Sequence, residues 1–362
     1  MKYLALIPMV FLAITPPLDL ALDCTINSTF WLWMTLASGF FAFLFLYQKV
    51  SVWLKLFVIW CFASCFISKA PFMSFTMYWS LIVCAYYYSL CKQVEDFTLV
   101  KKAIQSIFFF VTLMIIMQIF GFDTLLNFKE KTPDVLHGVM TPIVGIIGNR
   151  MIASSFVCVL APFLIFTPLN WVVLIILAVV SWSSGALLSI GAGLAVWSWQ
   201  FKKLRLGIVL LAIFIPVIFA WKTGDFSKDV MRAGRLPVYL DTLKLSLKHP
   251  QGFGIGTYKI VYPVIGSKEV RAQQPGRAWR TTHNDWLQIL FEVGFPGFIL
   301  FTGWLISILL TVIRSKNYLK LAGLAIIATN MAIHFPGRMI QSAFIILMFL
   351  GYCSRRDECE TS

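Results

Sequence analysis

A histidine stands where a basic, polar stretch of this chain runs into a long apolar one. The junction reads Thr281-Thr282-His283-Asn284-Asp285-Trp286-Leu287, with Arg277 and Arg280 just before it. Thr282 is placed to cap the helix that follows and Asp285 to sit in its first turn. His283 would then lie at the positive end of a helix dipole, which attracts anions and disfavours the imidazolium, leaving a neutral base near neutral pH. Taken alone, such a histidine is more often an interfacial side chain with no chemistry; the flanking Arg277 and Arg280 shift the balance towards an anion site. Arg232 and Arg235 form a second group. A guanidinium offers a planar fork for two phosphate oxygens and stays charged at any working pH, although binding of lipid headgroups is a competing use. Glu292 lies more than two turns into the apolar helix. A carboxylate there is a functional group or half of a buried pair, for which Arg338 is a candidate partner.

The charge around these residues is unusual in its location. The 362 residues are 59% hydrophobic, 16% aromatic and only 13% charged, with a mean hydropathy of +0.82. A soluble domain carries about 25% charged residues, so soluble enzyme folds are excluded and a polytopic membrane protein is expected. Its net charge is +14. Apolar runs fall at 3–15, 30–47, 52–68, 75–90, 104–121, 151–167, 171–182, 185–199, 206–221, 286–313, 321–335 and 339–352, about twelve spans. The run 3–15 ends at Pro16 and Pro17 without a cleavage signature, so it reads as an uncleaved first span. With the N-terminus inside, Lys49, Lys92 with Lys101 and Lys102, Lys202 with Lys203 and Arg205, Arg314 with Lys316 and Lys320, and Arg355 with Arg356 all fall on the inner side. Both termini then lie inside.

One segment departs from that rule. Residues 222–283, outside by this count, hold eleven Lys and Arg against four carboxylates, a net +7. Long loops cross regardless of charge, so this excess is not needed for topology and points to an anionic ligand. The division expected is 1–221, about nine N-terminal transmembrane helices; 222–283, a basic loop; and 284–362, C-terminal transmembrane helices with a short inner tail. Within the loop, Tyr239, Leu243 and Leu247 have helical spacing over 238–247, with Arg235 one turn before them. Gly252, Gly254 and Gly256 follow. This G-x-G-x-G has no strand-turn-helix context, so a tight turn is favoured over a phosphate loop. A shorter outer loop, 122–149, carries Lys129, Lys131 and His137 and closes on Gly148-Asn149-Arg150. The eight cysteines form no disulfide framework, and the four histidines are too dispersed for a metal motif.

His283-Asn284, nine residues, Gly294, two residues, Gly297 resembles the H-N-x9-G-x-x-G signature of the O-antigen ligase and O-antigen polymerase family of bacterial membrane glycosyltransferases. Gly234-Arg235, Tyr239, His249-Pro250, Gly252, Gly254 and Gly256 are similar to the family's G-R…W…H-P-x-G-x-G block, with Tyr239 where an aromatic is usual. Gly148-Asn149 resembles the G-N that opens a middle span, and Ser183-Ser184-Gly185-Ala186 stands where the family commonly has S-R-G-A. The middle-span arginine is therefore Ser184 here.

The resemblance implies an all-α polytopic transmembrane bundle of about twelve spans with one large, partly helical periplasmic loop, in the bacterial inner membrane. It implies transfer of a glycan from an undecaprenyl-diphosphate carrier to an acceptor hydroxyl, with neither metal nor cofactor. The acceptor would be lipid A core for a ligase, another glycan chain for an O-antigen or exopolysaccharide polymerase, or a protein for an O-oligosaccharyltransferase. By the same resemblance His283 would deprotonate the acceptor and Arg235 stabilise the diphosphate. Arg232, Arg280, Arg150 and Arg277 are candidate diphosphate ligands; Asn284, Glu292, Gly294 and Gly297 would support the site. The expected partners are that donor, its acceptor and the lipid bilayer, with no nucleic acid. A transporter or flippase for a lipid-linked glycan is the reading from another class, and it predicts broken helices at the bilayer midplane.

Overall fold

Proline and serine mark where several apolar runs become helices. Pro71 and Pro168 open helices at the position where a missing N–H leaves no hydrogen bond unmade, and Ser183 caps another by accepting from the Ala186 amide at 3.2 Å. The computed structural model describes residues 48–94, 96–119, 150–165, 168–180, 183–200, 235–272 and 279–355. Regular structure among the described residues is entirely helical: α1 Val52–Phe66, α2 Pro71–Gln93, α3 Thr98–Ile119, α4 Arg150–Leu160, α5 Pro168–Val180, α6 Ser184–Trp197, α7 Arg235–Lys248, α8 Tyr258–Ile265, α9 Lys268–Ala272, α10 Asp285–Arg314, α11 Tyr318–Ile333 and α12 Ile340–Cys353. Short 3₁₀ turns follow α4 and α6, and another, Pro336–Arg338, precedes α12.

Two of these helices are long and apolar enough to cross a membrane, over Thr98–Met117 and Asp285–Arg314; α1, α4, α5, α11 and α12 are shorter apolar helices. The twelve helices are not the twelve runs of the sequence. Three of them, α7 to α9, lie in the polar segment, while the runs 3–15, 30–47 and 206–221, together with the loop 122–149, fall outside the described residues. The described cysteines Cys61, Cys65, Cys84, Cys91, Cys158 and Cys353 are all free.

The chain divides into two compact units. In the first, α4 and α11 are joined by a reciprocal pair, Ser155 Oγ donating to Asn330 Oδ1 at 3.1 Å and Asn330 Nδ2 to the Ser155 carbonyl at 3.0 Å. Trp171 of α5 packs on Trp197 of α6, ring centroids 5.7 Å apart. The second unit holds α1, α2, α7 to α10, α12 and the chain from Met331 onwards. Here α1 runs along α10, with Phe57 against Phe301 and Gly297 and Gly303 facing Trp60 and Trp53 so closely that an added Cβ would meet either indole at 2.7 Å. In the same unit Tyr88 of α2 packs on Trp304 of α10, centroids 5.1 Å apart, and shares a 2.6 Å hydrogen bond with Ser354 after α12.

Candidate functional site

The helix that opens at the basic junction is broken, and its break organises everything around it. Gly294 has φ 67° and ψ −175° in the middle of α10, followed at once by Pro296. Pro296 has no N–H to give, and the Phe295 amide turns away to the Pro250 carbonyl at 2.8 Å. The carbonyls of Phe291, Glu292 and Val293 are thereby freed inside the protein, where unpaired polar groups are costly. Each finds a donor from elsewhere in the unit: Phe253 N at 3.1 Å, Gly254 N at 2.8 Å and Trp60 Nε1 at 2.7 Å.

The glycine turn is shaped for that task. Gly252, Gly254 and Gly256 all have positive φ. A Cβ on Gly252 would come within 2.4 Å of Gly294 N, and one on Gly294 within 2.3 Å of the Pro250 carbonyl. The two backbones touch where neither tolerates a side chain. The turn reading of G-x-G-x-G therefore holds, with an addition: its amides do cradle an anion, namely the carboxylate of Glu292. Glu292 Oε2 accepts from Gly256 N at 2.9 Å, and Oε1 accepts from Gln288 Nε2 at 3.1 Å and Tyr258 N at 3.4 Å. Arg338 Nη2 closes the set at 2.9 Å from Oε2. Glu292 is thus a buried pair with Arg338, fully hydrogen-bonded. The same arginine reaches Asp285, Nε to Oδ1 at 3.8 Å, while Gly337 N donates to Asp285 Oδ2 at 2.7 Å.

Asp285 does open α10, but the cap is not Thr282. Asn284, extended at φ −154°, caps the helix by accepting from Leu287 N at 3.0 Å. Thr282 Oγ1 instead accepts from Asn284 N at 3.0 Å and bonds the Asn284 carbonyl as donor. The reason is His283, whose φ of 54° reverses the chain before the helix starts and moves the cap two residues on, to Asn284. That left-handed residue is held by contacts: Tyr239 Oη donates to the His283 carbonyl at 3.0 Å, and the imidazole lies edge-on to Phe335 and Trp279, centroids 5.0 and 6.0 Å away.

Helix α7 supplies the charge. Arg235 is its first residue and Tyr239 stands one turn later, so the bond from Tyr239 to the His283 backbone fixes the helix that carries Arg235 beside the ring. Burial first, and the Arg235 cation second, hold the His283 imidazole down at about 4, well below the usual 6.5. The shift favours the neutral imidazole, the form expected from the sequence, and its causes are burial and then Arg235. Burial raises the Tyr239 phenol, with Arg235 opposing, so the phenol remains a donor. Among the described residues, three buried atoms at this junction have no hydrogen-bond partner, His283 Nδ1, Trp279 Nε1 and Asp285 Oδ1; a fourth such atom, His334 Nε2, belongs to a side chain within electrostatic reach of Arg235 and His283.

The other candidates are distributed differently. Arg280 is exposed beside Trp279, and Arg150 opens α4 in the first unit; Arg232 and Arg277 lie outside the described residues. Ser184 begins α6, next to the Ser183 cap. His249 packs its ring on Phe253 at 4.7 Å, a structural contact. Among the described residues no three histidine, cysteine or acidic side chains group as a metal site needs. The sequence reading did not place His334, Phe335 or Trp279 at the site. A signal was there: His334-Phe335-Pro336-Gly337-Arg338 is a proline-glycine turn bearing a cation at the end of an apolar run.

A histidine and an arginine within electrostatic reach of each other stand at the start of a helix long and apolar enough to cross a membrane. The family follows from comparison: residues 169–302 match the family described as O-antigen ligase, and this part of the chain is a domain of that family. No curated protein matches the chain. The family's chemistry is membrane glycan transfer of the O-antigen ligase and polymerase type, which implies a glycosyltransferase acting on lipid-linked glycans in a bacterial membrane.

Proposed function

We propose that this protein is a periplasmic-face glycosyltransferase of the inner membrane that moves a glycan from an undecaprenyl-diphosphate carrier to an acceptor hydroxyl, with lipid A core as the acceptor. In this reading the chain is a polytopic bundle of about twelve spans, both termini are cytoplasmic, and 222–283 is the periplasmic loop. His283 takes the proton of the acceptor hydroxyl as its oxygen attacks the anomeric carbon. The bond from that carbon to the diphosphate oxygen breaks, and Arg235 neutralises the charge released on the undecaprenyl diphosphate. No metal is called for in these steps.

The observation that carries this reading is the state of His283: a buried imidazole kept neutral to about pH 4 beside a guanidinium. A base must be free of its proton at working pH, and a leaving diphosphate needs a fixed cation; here one contact between α7 and the junction provides both. The transporter alternative would expect a broken helix with open carbonyls lining a path. The break at Gly294 is closed by the amides of Phe253 and Gly254, which supports the enzyme. The test is glycan transfer from a polyprenyl-diphosphate donor by purified protein. His283→Ala and Arg235→Ala should each abolish most of the transfer, and unchanged rates in both would overturn the assigned roles. Offering lipid A core, free glycan and protein acceptors to the wild type distinguishes ligase from polymerase and protein transfer.

A further inference from the structure

Helix α7 has a face that the site does not use. Val238, Thr242 and Ser246 are buried, sharing a core with Phe253, Tyr258, Tyr262 and Phe291. On the opposite side Leu236, Leu240, Leu243 and Leu247 are 38, 50, 37 and 61% exposed. Their spacing puts all four in one stripe along the helix. Lys244 and Lys248, both exposed, flank it. The neighbouring α8 likewise leaves Ile260, Val264 and Ile265 uncovered. An apolar patch of this kind on a polar loop marks a surface that is covered by something.

The depth of α7 beside α10 says what covers it. After the break, 295–314 is a run of twenty residues whose only charge is the terminal Arg314; at about 1.5 Å per residue it matches the roughly 30 Å hydrocarbon core of a bilayer. Before the break, α10 carries Asp285, Gln288 and Glu292, all buried in protein. Gly294 therefore falls at one surface of the membrane. The turn that binds the break, and α7 through the core it shares with Phe291, fall at the same level. A helix with a leucine stripe and a lysine edge at that level has the pattern of an interfacial helix.

We infer that α7, with α8 beside it, lies in the headgroup–acyl boundary of the leaflet from which the first arm of α10 emerges. The four leucines face the acyl chains, and Lys244 and Lys248 meet lipid phosphates. Tyr239, on the edge of α7 between stripe and core, and Arg235 one turn before it are thereby held at headgroup level. This inference rests on α10 crossing a membrane and not on glycan transfer.

Its test uses the full chain in nanodiscs of phosphatidylethanolamine and phosphatidylglycerol. An environment-sensitive fluorescent amino acid is inserted at Leu243, at Leu247 or, as a control, at exposed Glu269, and quenched either by nitroxide-labelled acyl chains or by an aqueous nickel chelate. At 243 and 247 the acyl quencher should be the stronger, and at 269 the order should invert. Equal access of nickel to all three positions would overturn the inference. Protection of 243 and 247 from both quenchers would overturn it too, showing a second copy or another protein segment on the stripe. Glycan transfer is not read in this experiment, so its outcome is independent of the catalytic assignment.

Discussion

Glu292 and His283 stand nine residues apart around one helix start, and they are treated in opposite ways. The carboxylate has every oxygen engaged, by two backbone amides, a glutamine and Arg338. The imidazole keeps a buried nitrogen without a partner, and so does the indole of Trp279 next to it. Native proteins leave few buried polar atoms unpaired. Complete satisfaction marks Glu292 as scaffold, and the open Nδ1 is consistent with the role proposed for His283, although Asp285 Oδ1 beside Arg338 is also buried without a hydrogen bond. The same segment thus contains a fastening at Glu292 and the proposed site at His283.

Gly294→Val attacks the fastening most directly. With φ 67° and the Pro250 carbonyl 2.3 Å from any added Cβ, the variant should yield no monodisperse protein in detergent by size exclusion. Arg338→Ala comes next: it leaves Glu292 and Asp285 buried without their cation, and stripping one partner from a buried pair costs about 3–5 kcal/mol. A large fall in Tm in a detergent-solubilised thermal scan is expected. His283→Asn should behave in the reverse sense. Asparagine accepts the left-handed backbone, so Tm should move by less than about 1 kcal/mol equivalent while transfer falls about 10²–10⁴-fold. If its Tm fell as far as that of Arg338→Ala, the distinction between fastening and site would fail. The last effect is that of pH. Because folding lowers the His283 pKa to about 4 from 6.5, its neutral form adds stability that is full above pH 6.5 and lost as pH falls towards 4. Wild type should lose more Tm than His283→Asn between pH 7 and pH 4, and the acid limb of transfer should lie nearer pH 4 than 6.5.

Some of this was legible in the chain and some was not, for identifiable reasons. The apolar run 286–313 and the helical spacing of 238–247 predicted α10 and α7 to within three residues at each end, because periodicity and burial agree there. The helix break was not read, although Gly294 and Pro296 were in view: its cause is the Gly252 backbone, forty-two residues earlier, which no local pattern encodes. Arg338 was named as a partner for Glu292, since a buried carboxylate demands a cation. The shift of the cap from Thr282 to Asn284 depends on the positive φ of His283, set by Tyr239, Trp279 and Phe335 from three separate stretches. Local propensity reports none of them.

The interlock of the glycine turn with the break also orders the protein's birth. Phe253 and Gly254 leave the ribosome before the carbonyls they must meet on Phe291 and Glu292. Their amides lack these partners until about forty further residues have been made. The turn therefore cannot be completed until α10 has been made. Because α7 and the turn share one core with Phe291, the packing that brings Arg235 near His283 also waits for that helix.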